Sequence, residues 1–320
     1  MGARAYRGES TGGAGGSGMS STFQLDSMRL WSPDEQVPCF ICDALNIPDD
    51  EVCRECFAPL DLTFQARQEK TPPRLVAVIG PTAVGKTVYL GMLLDMLSRG
   101  FAGLKGIPKG AFSISLQQAV VTSLEQCLFP QKTPNEPDRW HWVHCEIPPS
   151  GKKKGGASLV MPDLAGEVLG SELEHPRSSR TILQLLQKAS GGMMLIDAPR
   201  AREQPASQEF FAMKLVSYLD TLEKGSRTKK VARPIALVLS KADECEECFD
   251  DPQGFARSSL PGLWQLCEER LEHFKFFAAG VAGAVGFVED EAGELQRVPL
   301  RIEPRGVLEP FKWLTQMLEC

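Results

Sequence analysis

The run GPTAVGKT, Gly80 to Thr87, constrains this chain more than any other stretch in it. It fills every fixed position of the spacing G-x-x-x-x-G-K-[ST]. An apolar strand-like run, Leu75 to Ile79, leads in, and an amphipathic run from Lys86 to Gly100 leads out. Glycines at these places let the backbone curl until successive N–H groups face one point. The helix that starts there adds partial positive charge, so the point suits phosphate. Gly80, Pro81, Thr82, Ala83, Val84, Gly85, Lys86, Thr87 and Val88 are therefore read as a phosphate cradle. Lys86 reaches the outer phosphates of a nucleotide, and the Thr87 hydroxyl ligates Mg²⁺. From Arg74 onward apolar runs alternate with amphipathic ones, which predicts an α/β fold: a mostly parallel sheet flanked by helices.

Two later runs decide which nucleotide fits. MPDLAGE ends a strand at Asp163, and Asp163-x-x-Gly166 resembles the second switch of GTPases of the Ras and translation-factor type. There the Asp holds Mg²⁺ through water and the Gly senses the γ-phosphate. SKAD, Ser240 to Asp243, follows the buried strand LVLS and resembles the base-reading [NT]-K-x-D of the same proteins. That resemblance makes Asp243 the acceptor for guanine N1–H and N2–H₂ and lays the Lys241 stem over the base. Ser240 departs from the pattern but keeps a hydroxyl like Thr. Ala278, Ala279 and Gly280 stand where these GTPases carry a small-residue loop facing the guanine oxygen. The expected fold is thus a Ras-like P-loop NTPase, with GTP or GDP and Mg²⁺ as ligands.

The switch residues follow the same order. Thr133, in the loop FPQKTPNEP, is the candidate for completing the Mg²⁺ shell, with Thr122 as competitor inside a predicted helix. Lys86, Thr133 and Glu167 form the candidate catalytic set. Glu167 stands where Ras-like proteins carry a Gln that orients water. Its charge beside the γ-phosphate points to slow or partner-stimulated hydrolysis. Arg177 and Arg180 are candidate cis fingers, set against an ordinary solvated role.

A second, independent site lies upstream. Cys39-x-x-Cys42 and Cys53-x-x-Cys56 are two paired knuckles, a tetrahedral soft-ligand set for Zn²⁺. A module this small cannot fold on apolar burial alone, so the ion would supply the folding energy. The segment resembles the zinc ribbons common in prokaryotic multidomain proteins, which often end FCxxCGAPL; here the end is VCRECFAPL. Its spacing also fits the Ran-binding-protein type of finger, but Val37 replaces the Trp of that type, so protein docking is favoured over RNA stacking. Cys245 and Cys248 form a lone pair without a mate and read as incidental thiols.

These features divide the chain into a Gly/Ser-rich tail over 1–36, read as disordered, a four-cysteine zinc ribbon over 37–62, a linker over 63–73 and a GTPase domain over 74–320. With 35 Lys+Arg against 41 Asp+Glu, the net charge of −6 argues against nucleic acid as a partner. The apolar run FFAAGVAGAVGFV is Gly-broken and too short to insert in a membrane. The start has no signal-peptide order, and a cytoplasmic location is expected.

Taken together, VIGPTAVGKTVYLGMLL, MPDLAGE, LVLSKAD and PRGVLEPFKWLTQML resemble the prokaryotic double-GTPase type within the translation-factor-related clade. That resemblance implies a GTP-binding switch signalling to a protein effector or to proteins of neighbouring genes, in a setting of signalling or conflict. A non-hydrolysing nucleotide-binding adaptor and a P-loop ATPase stay open.

Overall fold

The computed structural model describes residues 36–148, 156–223, 230–289, 293 and 295–319. The tail over 1–35, most of the Gly/Lys hairpin tip and Gly225 lie outside the described residues. The described residues belong to one unit, Gln36–Cys320.

The described residues begin with two short paired strands, β1 (Val37–Pro38) and β2 (Leu45–Asn46), and helix α1 (Leu60–Gln68). The main body then runs β3 (Arg74–Ile79), α2 (Lys86–Arg99), β4 (Ile107–Lys109), α3 (Gly110–Glu125), β5 (His141–Ile147) and β6 (Ala157–Asp163). It continues α4 (Gly166–Glu174), α5 (Arg180–Lys188), β7 (Gly191–Asp197), α6 (Ala198–Glu203), α7 (Pro205–Glu223) and β8 (Ile235–Ser240). The last part is α8 (Glu247–Asp250), α9 (Pro252–Ser259), α10 (Pro261–Arg270), β9 (Phe274–Glu289), β10 (Leu295–Arg305) and α11 (Leu308–Met317).

Eight strands form one sheet in the order β10-β9-β8-β7-β3-β6-β5-β4. The five central strands, β9 to β6, are mutually parallel, and the outer pairs are antiparallel. Parallel strands need both faces covered. Accordingly every residue of β7 and β8 is buried, and two apolar clusters fill the two faces. Because the parallel strands all point one way, the loops after β3, β6, β7 and β8 gather at one end of the sheet, where ligands bind in such folds.

Three elements differ from the sequence expectation. The run FSISLQQAVVTSLEQCLF, by its alternating start FSISL, is expected to open as a strand and continue as a helix, yet FSISL lies wholly within α3. The buried positions Ser113, Leu116, Val120 and Leu124 follow helical spacing. Ser113 donates to the Lys109 carbonyl at 2.7 Å and accepts from the His144 amide at 2.8 Å, while Ile114 is exposed. The stretch expected as a linker carries α1 instead. Its Gln65 Oε1 lies 2.6 Å from His144 Nδ1 on β5, and Glu69, just past it, takes Lys109 Nζ at 2.5 Å. Ala278 to Gly280, expected in a loop, lie instead inside β9, which holds the run FFAAGVAGAVGFV in a long ribbon with β10. No helix among the described residues is long and apolar enough to cross a membrane.

Candidate functional site

The turn after β3 is shaped by its backbone. Ala83 (φ 62) and Gly85 (φ 94) both take the left-handed region, which Gly enters freely and Ala only under constraint. Lys86 opens α2 and folds back, donating to the Gly80 and Pro81 carbonyls at 2.9 Å each. Burial pulls its proton affinity down to about 8, against the pull of the Asp163 charge. A buried lysine whose hydrogen bonds, among the described residues, go to two carbonyls is poised for an anion.

Below it lies an oxygen cluster. Thr87 Oγ1 donates to Asp163 Oδ2 at 2.7 Å and lies 2.8 Å from Thr133 Oγ1. Thr133 Oγ1 donates to the same carboxylate oxygen at 3.0 Å. Asp163 is fully buried at the end of β6, and its Oδ1 has no hydrogen-bond partner among the described residues. An unpaired buried carboxylate oxygen beside two hydroxyls is a hard-oxygen donor set, so the residues present fit Mg²⁺. The structure thus brings Thr133 to Thr87 and Asp163. Thr122 stays on the exposed side of α3. Gly166 packs so closely on the loop that a Cβ there would meet the Thr82 amide at 2.4 Å.

Glu167 is engaged by the loop that carries Thr133. Its carboxylate accepts from Lys132 Nζ and Asn135 Nδ2, the residues that flank Thr133. The Lys132 hydrogen bond, with that of Asn135, keeps its proton affinity below the usual carboxylate range. Arg177 and Arg180 stand elsewhere: the Arg177 amide donates to Glu172, and Arg180 pairs with Glu55 at 3.5 Å.

A cavity of about 420 Å³ runs from this loop past β8. Ser240 Oγ donates to the Val84 carbonyl at 2.8 Å and the Ile196 carbonyl at 3.1 Å, tying the phosphate loop to β7 and β8. Lys241, at φ 57, reaches Asp197 Oδ2 at 2.5 Å. Burial lowers the proton affinity of Lys241 and raises that of Asp243. Asp243 and Ala279 both line the cavity. Ala279 does so from inside β9, paired with Ser240, and not from a loop, because the strand continues past it. Phe129, Arg200 and Arg297 line the same space and carried no motif in the sequence; a charged residue on a ribbon arm has no local signature.

The four cysteines form a separate, closed cluster. Their sulfurs all lie within 4.8 Å of one another and all four side chains are buried. The knuckles repeat one geometry. Asp43 N donates to Cys39 O and Phe57 N to Cys53 O, and both Asp43 (φ 59) and Phe57 (φ 58) are left-handed. Mutual hydrogen bonding among the thiols lowers the proton affinity of Cys39 and raises that of Cys42. Crowded thiols of this kind suit a soft divalent cation, which Zn²⁺ satisfies. Cys245 and Cys248 belong to no such group among the described residues.

Residues 77–212 match the family model described as Double-GTPase 1. No curated protein matches the chain. Among solved structures it is similar to nucleolar GTP-binding protein 1 from Plasmodium falciparum, at 14% identity and TM-score 0.36, over 77% of this chain and 87% of that one. It is also similar to a chain of the signal recognition particle receptor SRb-GTP/SRX complex from Chaetomium thermophilum, at 15% identity and TM-score 0.35, over 66% and 91%. A third is the S. cerevisiae Ski7 GTPase-like domain bound to GTP, at 14% identity and TM-score 0.38, over 78% and 51%.

Proposed function

We propose that this chain, with its Double-GTPase domain, is a GTP-dependent switch that cleaves GTP slowly or with a partner's help. The observation that carries the reading is the convergence of Thr87, Thr133 and Asp163 beneath a loop whose cavity ends at Asp243. One end is built for a metal-bound polyphosphate and the other presents a carboxylate to a base edge.

In this reading Lys86 leaves its two carbonyls for the β- and γ-phosphates, and the loop amides from Thr82 to Val88 cradle them. Thr87, Thr133 and Asp163 would hold Mg²⁺, whose charge would offset that of the phosphates. Gly166 lies against the loop and reports the γ-phosphate to α4. Lys241 and Asp243 accept the guanine, with Ser240 fixing their strand end to the loop.

Glu167 holds the Thr133 loop through Lys132 and Asn135, which suits it to couple the two switch segments. Its engagement there also favours a second reading, a nucleotide-binding adaptor that does not hydrolyse. The Cys cluster would carry Zn²⁺ and shape a small module. Leu45, Ile47 and Val52 are exposed on that module and offer an apolar patch to a protein effector, in the signalling or conflict setting implied above.

The test is binding of GTP and ATP, then γ-phosphate release, by wild type and Asp243→Asn. GTP preference that Asp243→Asn abolishes supports the guanine reading; equal ATP binding overturns it. GTP binding without phosphate release, even with candidate partners added, selects the adaptor.

A further inference from the structure

The ribbon β9–β10 is the part of the fold that the nucleotide motifs leave without a role. β9 follows β8 in parallel as far as Ala279 and then runs on to Glu289 paired with β10. Its register shifts repeatedly between Pro299 and Arg305. Such irregularities bend and twist a ribbon, and Arg297 on β10 lines the cavity beside Asp243 and Glu244.

Two contacts place Arg297 there, and it keeps one polar atom unpaired among the described residues. It forms an ion pair with Glu244. Its guanidinium carbon stands 6.0 Å from the centroid of the Phe129 ring. Its Nε is buried with no hydrogen-bond partner among the described residues. Nearer the base of the ribbon, Arg305 donates to both Glu246 carboxylate oxygens, at 2.7 and 3.0 Å, and lies 4.0 Å over the Phe249 ring. Arg305 anchors the ribbon without lining the cavity.

We propose that Arg297 is a nucleotide-contacting residue: held by Glu244, it packs its guanidinium plane on the purine of the bound nucleotide, opposite Phe129, and shares its face of the two-ring base with the Lys241 stem. The proposal rests on reading the cavity as a guanine-nucleotide site. A guanidinium is planar, permanently charged and stacks on π faces. Two stacked contacts of about 3.5 Å each need roughly 7 Å. The present 6.0 Å gap therefore opens slightly as the base enters. Stacking favours any base over none, because every base has a π face. Arg297 accordingly adds affinity for the nucleoside, while Asp243 selects guanine.

The test compares dissociation constants of GDP and of inorganic tripolyphosphate for wild type, Arg297→Ala, Arg297→Lys, Glu244→Gln and Arg305→Ala. Arg297→Ala weakens GDP about tenfold and leaves tripolyphosphate unchanged, as loss of one base stack requires. Arg297→Lys restores little, because an ammonium has no plane. Glu244→Gln frees Arg297 without altering it and weakens GDP by a smaller factor. Arg305→Ala leaves both ligands within about twofold, as for an exposed ion pair. GDP binding that Arg297→Ala leaves intact or tightens overturns the proposal. So does an equal loss for tripolyphosphate, or an Arg305→Ala defect as large as that of Arg297→Ala. Asp243→Asn in the same series separates the two failures. If it is silent the guanine reading falls; if only Arg297→Ala is silent, the stack alone falls.

Discussion

The molecule holds two clusters of candidate cation ligands, and they are built on opposite plans. The cysteine cluster comes from two knuckles close in sequence, and its four buried thiols complete a tetrahedral set by themselves. The oxygen cluster joins three segments: Thr87 is 46 residues from Thr133 and 76 from Asp163. It offers two hydroxyls and one carboxylate, fewer than the six ligands a hard cation takes, so under the proposed function phosphate oxygens and water would supply the rest. A closed set of ligands fixes a fold, whereas an open set makes the arrangement of its loops depend on what else is bound. The first therefore suits a structural ion and the second a switch.

The contrast breaks most sharply if the closed cluster is opened. Cys53→Ser should remove stoichiometric zinc and melt the module, because a structural site supplies on the order of 10 kcal/mol of folding energy. Metal analysis and thermal unfolding read this, and an unchanged melting temperature would show that the cluster is not structural. Opening the other cluster should spare the fold and affect the ligand. Lys86→Ala is expected to weaken GTP about 100-fold, the loss of charge-assisted bonds to phosphate, with the melting temperature of the empty protein nearly unchanged. Thr133→Ala should cost about tenfold in Mg²⁺-dependent GTP affinity and little for GDP. Thr133→Ser restores it if the hydroxyl is what matters; equal losses for GTP and GDP would count against a switch role. Glu167→Gln should change GTP affinity only about twofold, since its pairing with Lys132 is exposed and screened.

A pH dependence sharpens the same contrast. In the empty loop, burial sets Lys86 at about 8, below its ordinary 10.5. Phosphate favours the charged form, so between about pH 8 and 10.5 binding takes up a proton and affinity falls as pH rises. The unfolded chain binds more protons in that window, so this group's contribution to stability runs the other way and rises with pH. Calorimetry of GDP binding in buffers of different ionisation heat, at pH 7 and pH 9, shows proton uptake only at the higher value.

Legibility in the sequence follows the same division. The cradle Gly80–Val88, the strand-end carboxylate Asp163 and the knuckles were readable because each is a short run whose spacing carries its geometry. Thr133 was harder, since only the loop's place in the order pointed to it. The structure gave it a partner in Thr87 and Asp163. Glu167 was read by position as a water-orienting residue, but long-range packing aims its carboxylate at Lys132 and Asn135. FSISL misled because alternation in a short run suits a strand as well as a helix, and Ser113 found buried partners that only the folded neighbours provide.

The amino-acid sequence by itself determined the α/β alternation, the glycine-rich turn after β3 and the paired cysteine knuckles, because local spacing and backbone freedom are properties of neighbouring residues. Tertiary structure alone decided which side chains line the Asp243 end of the cavity. Arg297, Phe129 and Glu244 meet there from β10, the loop after α3 and the turn after β8. Nothing in their local sequence marks them, since their proximity comes from the bend of a ribbon and the order of strands in a sheet.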